Sequence, residues 1–206
     1  MASPAPRLVR RYLPAQRLVH WMGVASFLLL LGSGIALFPP LGWLAAGGAT
    51  RLLHRIAAVP FALLPLAYVV LLPAQAKELL VESFTFGRRD REWLVRMPAY
   101  LLGRTRGLPP QGRLNAGQKL HHAATFLMFA TVSASGAVLW FAKGHLGPGG
   151  LAAAAIVHDL SMLGLTVLMI GHVYFTFLYG ALPGMWTGWV TEEYARAEHR
   201  DWVDGG

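Results

Sequence analysis

Cysteine is absent from all 206 residues. That excludes disulfides, iron–sulfur ligation, covalent c-type haem attachment and any thiolate nucleophile within this chain. Charge is also scarce. Asp, Glu, Lys and Arg together make up 14%, where a soluble domain carries about 25%. A chain with so little charge and 55% hydrophobic residues cannot cover its own surface in water, and it reads as an integral membrane protein. Acids are the scarcest of the ionisable groups. The 18 Lys and Arg outnumber 10 Asp and Glu, for a formal charge of +8. In a soluble protein that excess would suggest nucleic acid. In a membrane chain it marks cytoplasmic loops and anionic lipid, so no nucleic-acid partner is expected.

Long apolar runs are what the sequence does contain. A bilayer crossing takes roughly 20 apolar residues. Val19–Phe38, Ile56–Ala76, Leu120–Ala142 and Leu151–Leu182 qualify, and Asp159 is the one acid inside any of them. The fourth run is too long for an upright crossing, so it tilts or projects from the bilayer. Pro60, Pro65 and Pro73 are expected to kink the second span. The first run does not read as a signal peptide, because it is long, lacks a clean small-x-small cleavage site and begins with His20-Trp21. The expected fold is an all-α membrane protein, a four-transmembrane-helix bundle forming one domain over residues 1–206. No internal repeat is evident.

The basic residues set the expected orientation. Fifteen of them fall in the N-terminal tail, in the connection 77–119 and in the C-terminal tail. Three, Arg51, Arg55 and Lys143, fall on the opposite side. This bias places both termini in the cytoplasm. The long inner connection is expected to hold a surface helix around Glu92–Gly103, with Trp93, Leu94, Met97 and Leu101 facing lipid and its arginines facing phospholipid headgroups.

Ionisable groups inside a bilayer are rare and are functional candidates by default. His20 lies at the inner end of the first span, and His54 where the chain enters the second from outside. His158 and His172 lie 14 residues apart on the fourth span. At 100° per residue they share a face, and they stand about 21 Å apart along the axis. Each has a partner at its own depth, His54 for His158 and His20 for His172. Two bis-histidine haems need such pairs, since an imidazole must approach iron from each face. Gly23, Gly32, Gly34, Gly136, Gly164 and Gly171 would admit a flat macrocycle or a neighbouring helix. Copper or zinc, a histidine proton relay and a histidine-dependent transporter or anchor without cofactor remain open at this point. His121 and His122 open the third span as further polar groups. His145 and His199 are expected to be solvated.

Several of these residues form recognisable motifs. Arg17-Leu18-Val19-His20-Trp21 enters the first span and Ser33-Gly34 lies late in it. Gly112-Arg113-Leu114-Asn115-Ala116-Gly117-Gln118-Lys119 precedes the third span, Ser135-Gly136-x-x-Leu139-Trp140 closes it, and His172-x-Tyr174 lies in the fourth. In these the chain resembles the cytochrome b (gamma) subunit of membrane-bound formate dehydrogenases, over roughly Arg17 to Trp202. The resemblance implies two haem b groups, with His54 and His158 as ligands of the outer haem and His20 and His172 of the inner. It implies a quinone, menaquinone or ubiquinone, reduced beside the inner haem by a site that includes Asn115, Gly117 and His172. Asn and Gly before a helix are also ordinary capping residues. Arg17 and Arg55 flank candidate ligands and could pair with haem propionates or snorkel at the interface. The implied partners are an iron–sulfur subunit, a molybdenum or tungsten catalytic subunit and membrane lipid. The implied location is the bacterial cytoplasmic (inner) membrane. Relatives of this cytochrome also serve hydrogenases and thiosulfate or other molybdenum oxidoreductases.

Overall fold

A computed structural model describes residues 6–205. Its framework is four long apolar helices in two hairpins: α1 (Pro14–Leu37) with α2 (Gly48–Leu71), and α6 (Ala116–Phe141) with α7 (Pro148–Leu178). Leu13–Lys77 form one compact unit, and the other described residues form a second. Each hairpin is antiparallel. In the first, Gln16 meets Tyr68, Phe27 meets Phe61 and Ser33 meets His54. In the second, His121 meets His172, Thr131 meets Ser161 and Ser135 meets His158. Each therefore has a turn end, where a short connection joins its helices, and an open end.

All four apolar runs are helices, but their bounds differ from those expected. They begin up to eight residues earlier, because the helices extend past the apolar runs into residues such as Arg17, Arg51, Arg55 and Lys119. Pro60 and Pro65 lie inside α2, whereas Pro73 does not kink it but starts a separate helix, α3 (Pro73–Phe84). The residue before a proline is pushed out of the α region, and Leu72 there adopts φ −141°, ψ 56°. The α7 helix runs for 31 residues, or about 46 Å at 1.5 Å per residue, longer than hydrocarbon alone requires. Along it Leu160, Leu163, Val167 and Ile170 are each about 60% exposed. They recur at helical spacing, so they form an apolar face that needs lipid or a partner rather than water.

The second unit also holds a folded polar cap. Strand β1 (Leu8–Arg10) pairs antiparallel with β2 (Trp189–Thr191), Val9 opposite Val190, so the N-terminal segment is tied to the C-terminal one. The connection before α6 contains α4 (Arg88–Val95) and α5 (Met97–Tyr100), and the C-terminal segment contains α8 (Leu182–Thr187), α9 (Glu192–Glu198) and α10 (Arg200–Asp204). Here one expectation fails. Trp93 does not face lipid: it is 1% exposed and packs with Tyr100 and Ala116. Tyr100 in turn stacks on Phe175 and Tyr179 at the end of α7, so the aromatic side chains of the connection bury each other. Three of its arginines also pair with acids of the chain, Arg89 with Asp201, Arg88 with Glu92 and Arg113 with Glu78.

Candidate functional site

The four histidines singled out by depth fall two to a hairpin, one near the turn end and one near the open end. On the first hairpin these are His54 and His20, and on the second His158 and His172.

At both turn ends the same device recurs. A serine near the end of the first helix faces the imidazole on the second. Ser33 Oγ lies 2.8 Å from His54 Nδ1, and Ser135 Oγ lies 3.2 Å from His158 Nδ1. The glycine after each serine gives the ring room. A Cβ on Gly136 would stand 3.1 Å from His158 Cε1, tighter than ordinary contact, and one on Gly34 would meet His54 Cε1 at 3.5 Å. This is an internal repeat that the sequence reading missed. Its signal was present in the two Ser-Gly pairs, but it is spread over some 100 positions and linked only by antiparallel packing.

The hydroxyl protons of both serines are committed. Ser33 donates to the Leu29 carbonyl at 2.6 Å, and Ser135 to the Thr131 carbonyl at 2.6 Å. Each oxygen therefore accepts from the histidine. His158 Nδ1 also lies 3.0 Å from the Val132 carbonyl, which can only accept. In a neutral imidazole the proton then sits on Nδ1, and Nε2 carries the lone pair.

The open ends are built differently. His20 is half-buried, with its ring edge-on to Trp21 at 5.2 Å. His172 is exposed on α7 and stacks on His121, centroids 5.5 Å apart and planes 19° apart. His122 Nδ1 lies 3.2 Å from Ser83 Oγ. Arg17 is half-buried one turn before His20, and Arg55 is exposed beside His54.

Asn115 is 1% exposed and fully engaged. Its Oδ1 accepts from Gln118 N at 2.9 Å, and Gln118 Oε1 accepts from Asn115 N at 3.1 Å, a reciprocal cap that starts α6. Its Nδ2 donates to Tyr100 Oη at 3.3 Å and to Glu198 Oε2 at 3.5 Å. Tyr100 Oη donates to the same carboxylate at 2.9 Å. Burial lifts the Glu198 carboxyl above the ordinary carboxylate range, opposed by the bonds from Tyr100 and Asn115. Gly117 lies against this network, since a Cβ there would stand 2.8 Å from Trp93 Cη2. The expected cap is thus present, and Gly117 has a packing reason to be glycine.

Burial of Glu198, Tyr100 and His199 gave no sequence signal. His199, expected to be solvated, is wholly buried. Its Nδ1 donates to the Gly112 carbonyl at 3.0 Å, and its Nε2 accepts from Arg11 at 3.2 Å. Burial, together with the Arg11 guanidinium, holds its pKa down to about 3. His145 is exposed as expected.

Long apolar helices with an imidazole toward each end suit a membrane cytochrome, and comparison with known proteins agrees. The chain belongs to the prokaryotic cytochrome b561 family, whose model matches residues 11–188. It is 27% identical over 202 residues to the cytochrome b556 subunit of formate dehydrogenase from Haemophilus influenzae, covering 95% of this chain and 82% of that one. Against the cytochrome b556(fdo) subunit of formate dehydrogenase from Escherichia coli K12 it is 27% identical over 203 residues, 93% and 90% of the two chains. Against the nitrate-inducible cytochrome b556(Fdn) subunit of the same strain it is 26% identical over 191 residues, 90% and 86%. The family implies haem b, and the turn-end residues fit that group. Their imidazoles carry the lone pair on Nε2, the nitrogen farther from the backbone, and glycine stands beside each ring.

Proposed function

We propose that this chain is the di-haem cytochrome b subunit of a membrane-bound formate dehydrogenase. His54 and His158 are the axial ligands at the outer side, and His20 and His172 those at the inner side. The observation that carries this reading is the distribution of imidazoles, one near each end of each hairpin. In this reading the four imidazoles form two ligand pairs at two depths. About 30 Å of hydrocarbon is too wide a gap for direct electron transfer, and haem b supplies a one-electron acceptor at each depth. The chain's own residues orient the ligands, exclude water through the apolar helices and handle protons at the inner end.

In this reading the turn ends face outward, both termini are cytoplasmic, and the chain resides in the inner membrane. An iron–sulfur subunit docks at the outer side and connects to a molybdenum or tungsten subunit that oxidises formate. Quinone, menaquinone or ubiquinone, is reduced at the open end of α6 and α7 beside His172. Asn115 and Gly117 shape that site through the α6 cap, and protons are taken up from the inner side. Arg17 and Arg55 stand near the inner and outer ligands as partners for propionates.

Single-histidine variants test the assignment. His54→Ala and His158→Ala should each remove mainly the same haem, and His20→Ala the other, read as loss of about half the pyridine haemochrome absorbance per chain. Full haem content in His54→Ala would refute the ligand pairs.

A further inference from the structure

We infer that Ser33 and Ser135 are positioning residues for the outer haem, fixing its two axial imidazoles by accepting their Nδ1–H protons. The inference rests on His54 and His158 being that haem's ligands and goes beyond it, because it assigns the groups that orient them.

Three observations carry it. The contact occurs twice, once in each hairpin, between a Ser-Gly pair on one helix and a histidine on the next. In both, the serine proton is already given to the carbonyl four residues back, so the oxygen has only lone pairs to offer the ring. At His158 the Val132 carbonyl, which can only accept, lies 3.0 Å from Nδ1 and places the ring proton on that nitrogen.

An acceptor at Nδ1–H does two things to an axial ligand. It fixes the tautomer and ring plane, and it makes Nε2 more basic, which favours oxidised iron and lowers the reduction potential. Loss of the acceptor should therefore raise the potential of the outer haem without removing it. In Ser135→Ala the Val132 carbonyl stays within reach of His158 Nδ1, so there the serine's removal should weaken the acceptor rather than abolish it.

The test uses the purified full-length subunit in its complex. Redox titration of each haem and low-temperature electron paramagnetic resonance of the oxidised protein are compared across variants. Ser33→Ala and Ser135→Ala should keep both haems, shift the outer haem's potential upward and move its g values. Ser33→Thr, which retains the hydroxyl, should restore the wild-type values. Ser33→Cys, close in size but a weak acceptor, should behave like Ser33→Ala and serves if the alanine variant does not assemble. Unchanged potential and g values in Ser33→Ala or Ser33→Cys would overturn the inference, as would a change confined to the inner haem. If His54→Ala kept the outer haem, the ligand assignment would fall instead, so the two failures are distinguishable.

Discussion

The turn ends and the open ends of the hairpins do different chemistry with different materials. At the turn ends the polar inventory is sparse. A serine and a glycine flank each imidazole, with the Val132 carbonyl added at His158, and the connecting segments are short. At the open end of α6 and α7 the chain builds a cap of two β-segments, several short helices and a buried network of Asn115, Tyr100 and Glu198. The contrast suits the function proposed above. Under that proposal, ligands at an end that only passes electrons need fixed orientation, which hydroxyl acceptors provide, and an end where quinone takes up protons needs titratable groups. His121, His122, His172 and Glu198 lie toward the open end of α6 and α7.

The largest expected effect concerns which end faces which side. A reporter active only in the cytoplasm, fused after Gly206, should be fully active, and one active only in the periplasm should be silent. The reverse result would exchange the two ends and invert the haem assignment.

Next comes the proton-handling end itself. Asn115→Ala removes the α6 cap, for about 1 kcal/mol, and the Nδ2 bonds to Tyr100 and Glu198. Haem spectra and reduction by the upstream donor should stay close to wild type. Reoxidation by added quinone should slow by about tenfold, the equivalent of about 1.4 kcal/mol in the barrier. His145→Ala, at the opposite turn, should leave reoxidation unchanged. Slow reoxidation in His145→Ala with normal rates in Asn115→Ala would move quinone to the turn end.

A smaller effect tests the cap through pH. His199 has its pKa lowered to about 3 in the fold, so the unfolded state binds more protons than the native one between that value and 6.5. Its contribution to stability is present above pH 6.5 and is lost as pH falls. Between pH 7 and 5 the loss is about 2 kcal/mol. Glu198, raised by burial, acts in the opposite sense over the carboxylate range. The wild-type melting temperature should drop across that window, and His199→Gln, which can still donate to the Gly112 carbonyl, should flatten the drop. Equal slopes in the two proteins would show that His199 is not the group responsible.

How much of this was legible in the sequence follows from which interactions are local. The four helices announced themselves through long uncharged runs, and the Asn115 cap through a three-residue spacing to Gln118. His158 and His172 were linked by helical arithmetic alone. The fold of the connection 77–119 was not legible, because Trp93 and Tyr100 look amphipathic in isolation. Their burial depends on Phe175 and Tyr179, some 75 to 85 positions away. His199 looked solvated for the same reason: its partners, Arg11 and Gly112, lie 188 and 87 positions away. The serine acceptors were visible as motif residues, but their role emerges only when antiparallel packing sets each one opposite a histidine.

The claim beneath the whole comparison is that each end of the bundle holds a haem of its own. The most direct test is haem per chain in the purified wild-type complex, by pyridine haemochrome against quantified protein, with a dithionite-reduced minus oxidised spectrum to identify the type. The account predicts a b-type spectrum and a ratio of about two, titrating as two separate potentials. A fully loaded protein with a ratio of about one, or with no haem absorbance, would contradict it.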